Sequence, residues 1–261
     1  MNLPTNNQTG SDVPARYRGL WRRSLLETAD MRDVGTTVFW MQAAKWHADI
    51  RLPADRPDFA GVTSLAACSD LQLQWLATQQ GFAGITHVRE DARGEICTWH
   101  RVVDYQPPQA TPDEGWMWFE QTRLVETGVH ADYLEHWHAV SLSSGPMVVL
   151  QADGADSGAE ELLFLVGQYV MHLAWPRTRA ADQPGPQLEI SFGERTASGY
   201  VIRHSTMPWL EGRHRTMHAV ARDACSVLLS CDGGSRTWRF LESDGMGCGT
   251  PAGASPAPTL R

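Results

Sequence analysis

A nine-residue stretch, KWHADIRLP at residues 45–53, places a base, an acid and a permanent cation on one face of a predicted strand. The period of two brings His47, Asp49 and Arg51 together, each about 7 Å from the next along the strand. Facing a cavity, Arg51 would bind a carboxylate and His47 would exchange protons near neutral pH. On a solvated face the same groups would be ordinary surface charges, and in a core they would be a structural ion pair. We expect all three to form the polar end of a cavity.

A second predicted strand, CTWHRVVDYQ at residues 97–106, offers another polar candidate. Every second residue from 98 to 104 shares a face with His100, and this mixture of polar and apolar groups is typical of a cavity wall. His100 is therefore a candidate ligand-binding residue. The alternative orientation puts Trp99 in the core and His100 in solvent.

The densest histidine region is VHADYLEHWHAV at residues 129–140. His136 and His138 would project from one face of a strand, as in β-barrel metal enzymes that present two imidazoles to zinc or iron. A third ligand would come from elsewhere, and nothing fixes which of the available residues supplies it: His47, His100, His130, His172 or Glu135. We predict no cofactor, and a divalent metal on His136 and His138 is the alternative.

The opposite face of the same strand carries Tyr133, Glu135 and Trp137. In this orientation Tyr133 would contact a ligand. Glu135 would serve as a general base if an apolar pocket raised its pKa.

Most of the chain consists of short alternating segments separated by turn residues, a pattern that predicts antiparallel β structure. Residues 117–125 read as one strand, and the apolar stretch at 162–175 reads as a strand pair that turns near Gly167. One segment differs, because Ser69 would cap a helix over about residues 69–80 and Gly81 would end it. We expect this single helix to form a lid over one end of a barrel.

The Pro-rich segment DYQPPQATPDEG divides the predicted strands into two groups. We expect flexible tails at 1–18 and 243–261, a first β unit at 19–106, a linker at 107–115 and a second β unit at 116–242. The fold class is thus mainly β, with an antiparallel barrel architecture of two units.

The composition excludes several classes of function. The 261-residue chain has a formal net charge of −8 and no Lys/Arg cluster beyond RYRGLWRR, so neither nucleic acid nor an anionic membrane surface is an expected partner. No apolar signal segment or run of about 18 apolar residues is present, which predicts a cytoplasmic protein. Five cysteines without a C-x-x-C pair favour reduced thiols.

Several blocks in order along the chain resemble a known family. Gly19-Leu20-Trp21 is similar to the Gly-x-Trp that opens lipocalin-type barrels, where the Trp packs across the closed end. The blocks VFWMQAAKWHADIRLP, CTWHRVVDYQPP and EELLFLVGQYVMHLAW, with a late EISFGE, resemble the Hri1-like proteins over roughly residues 19–242. This resemblance implies lipocalin-like (calycin-type) barrels with internal cavities, and it implies no established reaction and no catalytic residues.

Three functions fit these observations, and one of them is a structural or regulatory interaction module whose filled barrels only present loops. In the first, a lipocalin-like barrel binds an apolar or aromatic small molecule, which Arg51 orients together with one or more of His47, Asp49, His100 and Tyr133. In the alternative, the same cavity is the active site of a cofactor-free isomerase, lyase or hydrolase acting on a small carbonyl or carboxylate compound. There His47 or Glu135 would shuttle the proton. The sequence leaves open whether subunits form a homo-oligomer.

Overall fold

A computed structural model describes residues 12–107, 109–143, 145–153, 158–177, 187–223, 225–231 and 234–243. Within these ranges the chain is mainly β, as predicted, and its strands form two closed antiparallel barrels. The strands of the first sheet are β1 (Gly19–Glu27), β2 (Arg32–Asp33), β3 (Thr37–Gln42), β4 (Trp46–Leu52), β5 (Gln80–Asp91), β6 (Gly94–Asp104), β7 (Glu114–Glu120), β8 (Arg123–Gly128) and β9 (Leu134–Ala139). The strands of the second barrel are β10 (Met147–Ala152), β11 (Ala159–Val166), β12 (Tyr169–Pro176), β13 (Glu189–Thr196), β14 (Gly199–Ser205), β15 (His214–Arg222), β16 (Ser226–Cys231) and β17 (Gly234–Ser243).

The first barrel closes because β1 pairs on one side with β3 and on the other with β9. Trp21, in the Gly-x-Trp motif, is buried inside this barrel and donates its indole N–H to the backbone oxygen of Tyr17 at 2.7 Å. Tyr17 is itself fully buried, in a short 3-10 helix (Ala15–Tyr17). Residues 12–18 are therefore packed on the barrel, which corrects the expected flexible tail over this part of 1–18. Residues 1–11 lie outside the described chain.

The boundary between the barrels differs from the expected linker. The expected linker at 107–115 lies between β6 and β7 and runs into the first residues of β7, and these two strands are hydrogen-bonded neighbours in the first barrel. Residues 117–125 are also a hairpin rather than one strand, since Gln121 turns the chain with a positive φ of 57°. The chain passes to the second barrel after β9, near residues 140–146, and β17 ends that barrel at Ser243. Pro-Pro excludes a central strand, but a loop within one barrel satisfies that restriction as well as a linker does.

The two barrels share a core where their outer surfaces meet. We refer to this shared cluster as the inter-barrel core. The first barrel contributes Trp46, Ala48 and Ile50 of β4. The second barrel contributes Phe164, Met171, Leu173, Ile190 and Phe192. Phe39 stacks on Phe192 with ring centroids 4.3 Å apart. The Glu242 carboxylate accepts backbone N–H groups from the turn before β4, including that of Lys45 at 2.9 Å. The apolar face of β4 is therefore buried against the second barrel, and its polar face is left for the interior of the first.

The helix α1 (Asp70–Thr78) lies within the predicted bounds, and Ser69 and Gln72 form a capping box at its start. Trp75 and Leu76 bury its inner face against Phe59 and Trp209. The Leu76 backbone oxygen also accepts a hydrogen bond from Tyr105 at 2.8 Å. The helix thus packs beside both barrels and contributes no residue to the cavity walls described below.

Among the described residues, no helix is long and apolar enough to cross a membrane. Cys68 and Cys97 are free thiols, as predicted. Cys225 is disulfide-bonded, so the expectation of reduced thiols is wrong for that residue.

Candidate functional site

The interior of the first barrel contains a cavity of about 290 Å³. Its apolar wall is aromatic and is formed by Trp40, Phe82, Trp99 and Trp137. Its polar groups come from three strands, β4, β8 and β9, and from the loops that precede β7 and β9: Asp49, Arg51, Asp113, Glu126, Asp132, Tyr133 and Glu135. An eight-stranded barrel has an interior wide enough for one small ligand, so this cavity is the candidate functional site.

Asp49 and Arg51 lie side by side in the cavity wall, as predicted from their spacing on β4. Arg51 Nε is 3.0 and 3.1 Å from the two carboxylate oxygens of Asp49. The Asp49 side chain is 2% exposed, and the Arg51 side chain retains 22% exposure. Burial raises the pKa of Asp49, and the Arg51 guanidinium opposes that rise. Burial disfavours the charged form of Arg51, but the carboxylates of Asp49 and Glu135 outweigh it and raise the Arg51 pKa. The contact with Asp49 leaves part of the Arg51 guanidinium open to the cavity.

Phe82 lies between two guanidinium groups. The Cζ atoms of Arg51 and Arg101 are 5.3 and 3.8 Å from its ring centroid. Arg101 also binds Asp104 and Asp113, each at 2.7 Å. These cation–π contacts and ion pairs fix the orientation of the Phe82 ring, which then presents a rigid aromatic surface to the cavity.

Glu126 on β8 is the most strongly perturbed carboxyl group in the cavity. Tyr133 donates to its Oε1 at 2.7 Å and Trp137 donates to its Oε2 at 3.0 Å. Burial, aided by the negative charge of Glu135 nearby, raises the pKa of Glu126 to about 8, although the Tyr133 hydrogen bond opposes the rise. Burial also raises the pKa of Tyr133, so its hydroxyl stays protonated. Near neutral pH, Glu126 is therefore mainly a neutral acid that is able to donate a proton.

Glu135 lines the same cavity but has a dedicated partner. Arg23 on β1 binds Glu135 at 2.6 Å and Asp33 at 2.9 Å, and both Arg23 and Glu135 are about 5% exposed. Glu135 thus has a buried cationic partner, and its role as a general base stays a prediction. The carboxyl group of Glu126, in the same cavity, has a raised pKa.

His47 points into the first barrel with Asp49 and Arg51 but does not line the cavity. Its Nδ1 lies 2.9 Å from the hydroxyl of Thr86, and its ring packs edge-on against Phe82. Burial, with the positive charge of Arg101, lowers the pKa of His47 to about 3. His47 is neutral at physiological pH, so its geometry suits packing of Phe82 better than proton exchange with a ligand.

The other candidate histidines lie outside the cavity. His100 is exposed while Trp99 points inward, so the alternative orientation of that strand is the one observed. His100 instead lines a cavity of about 470 Å³ between β6 and the second barrel. His136 and His138 lie on the outer face of β9, opposite Glu135 and Trp137. In the described part of the chain, no three His, Cys, Asp or Glu side chains are grouped to hold a metal ion.

Trp40 and Glu126 were not among the predicted site residues. The Trp40 indole Nε1 is buried and has no hydrogen-bond partner among the described residues. The signal for Glu126 is its position two residues after the buried Leu124, which places a carboxyl group on the inward face of β8. Arg51 and neutral Glu126 place a guanidinium and an acidic O–H in the wall of this cavity, and Trp40, which carries the unpaired N–H, is part of the same wall. The site therefore suits a ligand that accepts hydrogen bonds.

No family model matches the chain, and no curated protein sequence matches it. One similar solved structure is the crystal structure of the uncharacterized protein YLR301w from Saccharomyces cerevisiae. The TM-score is 0.57 at 12% sequence identity, over 87% of this chain and 99% of that chain. At this identity the likeness shows a common fold of the two proteins, and function has to be argued from the site itself.

Proposed function

We propose that the first barrel is a lipocalin-like binding module for a small aromatic molecule that carries a hydrogen-bond acceptor such as a carbonyl group. The observation that carries the proposal is the aromatic cavity of about 290 Å³ with hydrogen-bond donors in its wall. This volume lies at the small end of ligand pockets, which fits a molecule of one or two rings. The Hri1-like resemblance of the sequence is consistent with an architecture of this kind.

The polar groups define the orientation of the ligand. The Trp40 N–H lacks a partner among the described residues, and a buried donor without an acceptor is costly. Glu126 in its neutral form adds an O–H, and Arg51 adds the part of its guanidinium that Asp49 does not engage. A carbonyl oxygen directed at these donors would place the ring of the ligand among Phe82, Trp99 and Trp137.

Binding is tested with two probes of nearly equal shape, acetophenone and ethylbenzene, which differ in the carbonyl group. We expect the full chain to bind acetophenone roughly tenfold more tightly, the effect of about one buried hydrogen bond. Trp40→Phe should remove most of this preference. Trp118→Phe is the matched control, because Trp118 is exposed on the outside of the same barrel. Equal affinity for the two probes, or an unchanged preference in Trp40→Phe, would refute the proposal.

The raised pKa of Glu126 favours a second candidate, a cofactor-free isomerase, lyase or hydrolase acting on a carbonyl compound. Glu126 would donate its proton to the carbonyl oxygen while a second carboxylate of the wall, Glu135 or Asp49, takes the proton from the adjacent carbon, so that the enol forms. Arg51 would orient the carbonyl group for this transfer. Deuterium exchange at the methyl group of acetophenone, followed by proton NMR in heavy water, detects such activation. An enzyme would show exchange that falls above about pH 8 and is lost in Glu126→Gln. A binding module would show none.

A further inference from the structure

The interior of the second barrel contains another cavity, of about 350 Å³, with a different lining. Its wall carries two acids, two arginines and a histidine: Glu161, Glu189, Arg215, Arg236 and His172. Tyr200, Leu163 and Trp238 supply an apolar side. The inter-barrel core separates this cavity from the one in the first barrel. The two barrels therefore offer two independent sites, and the second has the more polar lining.

Glu161 contacts two other charged or polar side chains of this cavity, His172 and Arg236. Its carboxylate accepts a hydrogen bond from His172 Nε2 at 3.1 Å and forms an ion pair with Arg236. Burial opposes ionisation, but the hydrogen bonds and charges of His172 and Arg236 outweigh it and lower the pKa of Glu161. Because a carboxylate only accepts, His172 Nε2 carries its proton, and in neutral His172 the Nδ1 atom is then an acceptor.

Three buried polar atoms of the cavity residues have no hydrogen-bond partner within the described part of the chain. They are Arg215 Nε, Trp238 Nε1 and His172 Nδ1. The first two are donors under all physiological conditions. Buried polar groups are usually satisfied, so three unpaired atoms around one cavity of ligand size favour a ligand with matching groups. Such a ligand would offer an acceptor to Arg215 and Trp238 and a donor to His172.

Arg215 is also only weakly paired. Its Nη2 is 3.8 Å from Glu189 Oε1, which is too long for a hydrogen bond, and the same oxygen accepts the hydroxyl of Ser191 at 2.9 Å. Arg236, in contrast, is bound directly to Glu161. Arg215 is therefore the guanidinium of this cavity that is available to an anionic ligand.

Arg215 is held in the barrel wall by the pairing of β15 with β14. The two strands pair from Gly199 with Thr216 to Val201 with His214, and Arg215 lies opposite Tyr200 in this ladder. Both residues line the cavity, so an anionic group and a carbon skeleton can be bound side by side.

We propose that the second barrel holds a separate binding site for a small hydroxycarboxylate. The carboxylate is bound by Arg215 and Trp238, the hydroxyl group donates to His172 Nδ1, and the carbon skeleton contacts Leu163 and Tyr200. Two arginines balance two glutamates in the wall, so a monoanion is the ligand that Arg215 accommodates with least repulsion.

The test uses the full chain with 2-hydroxyisovalerate and isovalerate, which differ in one hydroxyl group. Isothermal titration calorimetry is expected to show binding of the hydroxy acid and an affinity for isovalerate that is lower by roughly fivefold or more. Arg215→Gln should weaken hydroxy acid binding roughly tenfold or more, as loss of a charge-assisted contact does. Arg203→Gln is the matched control, because Arg203 is half exposed and pairs with Glu194 on the outside of the same barrel.

Trp238→Phe provides a second test should Arg215→Gln fail to fold. It keeps an aromatic ring in the core and removes the unpaired N–H, so the affinity should fall several-fold. The smaller side chain should lower the melting temperature of the ligand-free variant only modestly. Trp40→Phe, in the first barrel, should leave this binding unchanged, which separates the proposal from that for the first cavity. The proposal is overturned if neither acid binds at millimolar concentration, if both bind equally, or if Trp238→Phe and Arg215→Gln both bind like the parent chain.

Discussion

Tyr133 donates a hydrogen bond of 2.7 Å to Oε1 of Glu126, inside the first barrel. This contact stabilises the ionised form of Glu126, yet the pKa of Glu126 rises to about 8 because burial and the nearby Glu135 charge act in the opposite direction with more effect. The balance between the hydrogen bond from Tyr133 and the burial of the carboxyl group thus sets the protonation state of Glu126. It also makes the stability of the protein depend on pH in a defined direction.

Glu126 is expected to make the protein less stable as the pH rises from about 4.5 to about 8. Below its ordinary pKa of 4.5 the group is protonated in both the folded and the unfolded chain. Above it the unfolded chain loses the proton while the folded chain keeps it until about pH 8, so the unfolding free energy falls by about 1.4 kcal/mol per pH unit. The whole effect is on the order of 3–5 kcal/mol. Glu126→Gln removes it and should be more stable than the parent at pH 8.

Urea unfolding of the parent chain and Glu126→Gln between pH 4.5 and 8.5 measures this difference. Glu120→Gln on the β7–β8 hairpin is the control, since Glu120 is exposed and its pKa is lowered by the hydrogen bond from Arg123. A free-energy difference between the parent and Glu126→Gln that stays constant over this pH range would mean that Glu126 is ionised in the folded protein.

Tyr133→Phe should raise the pKa of Glu126 further. The substitution removes a donor that stabilises the carboxylate and leaves the burial of the carboxyl group almost unchanged. Carbon-13 NMR of glutamate-labelled protein would follow the titration midpoint of Glu126 directly. Tyr169→Phe is the matched control, because the Tyr169 hydroxyl donates to the backbone oxygen of Ser141, away from the cavity. A midpoint that falls in Tyr133→Phe would show that the hydroxyl does not favour the ionised form.

Strand periodicity predicts much of this architecture because it is a local property of the chain. The alternation on β4 correctly puts His47, Asp49 and Arg51 on one face, and Ser69 correctly marks the start of the helix. The turn at Gln121 has no such signal, because the residues around it are neither Gly nor Asn nor Pro. The positions of barrel boundaries also depend on which strands close, as β1 does with β9, and that pairing joins residues distant in sequence.

The identity of the perturbed carboxyl group could not be obtained in the same way. Glu126 and Glu135 both lie on inward faces of their strands and are equally buried in the barrel. Arg23, more than 100 residues before Glu135 in the chain, pairs with the Glu135 carboxylate and not with the Glu126 carboxyl group. A pKa depends on such long-range contacts, so the pattern of one strand predicts that a cavity acid exists and leaves open which residue it is.

Arg23 should be far more important for stability than the nearby Arg32. Arg23→Gln leaves the buried carboxylate of Glu135 without its partner, which typically costs about 3–5 kcal/mol. Arg32→Gln breaks an exposed ion pair with Glu27, for which a change of at most about 1 kcal/mol is expected. Chemical denaturation of both variants at pH 7 gives the comparison. Similar decreases in the free energy of unfolding of the two variants would indicate that Glu135 is protonated or hydrated when Arg23 is removed.

Gly81, at the start of β5, packs closely on Ile190 of the second barrel. A Cβ atom at this position would lie 2.5 Å from Ile190 Cδ1 and 2.7 Å from the backbone oxygen of Asp49. Gly81→Ala should therefore destabilise the protein by about 1–3 kcal/mol, as overpacking does. The same strain acts on β4 next to the carboxylate that binds Arg51.

A double-mutant cycle separates the two contacts of Gly81. Ile190→Val removes the Cδ1 atom and alone should cost about 0.5–1.5 kcal/mol. In combination with Gly81→Ala it should recover part of the loss, because the contact between the barrels is relieved while that with Asp49 stays. Strictly additive losses would place the strain of Gly81→Ala within the first barrel alone. A favourable coupling would establish that the packing of the two barrels bears directly on the strand that carries Asp49 and Arg51.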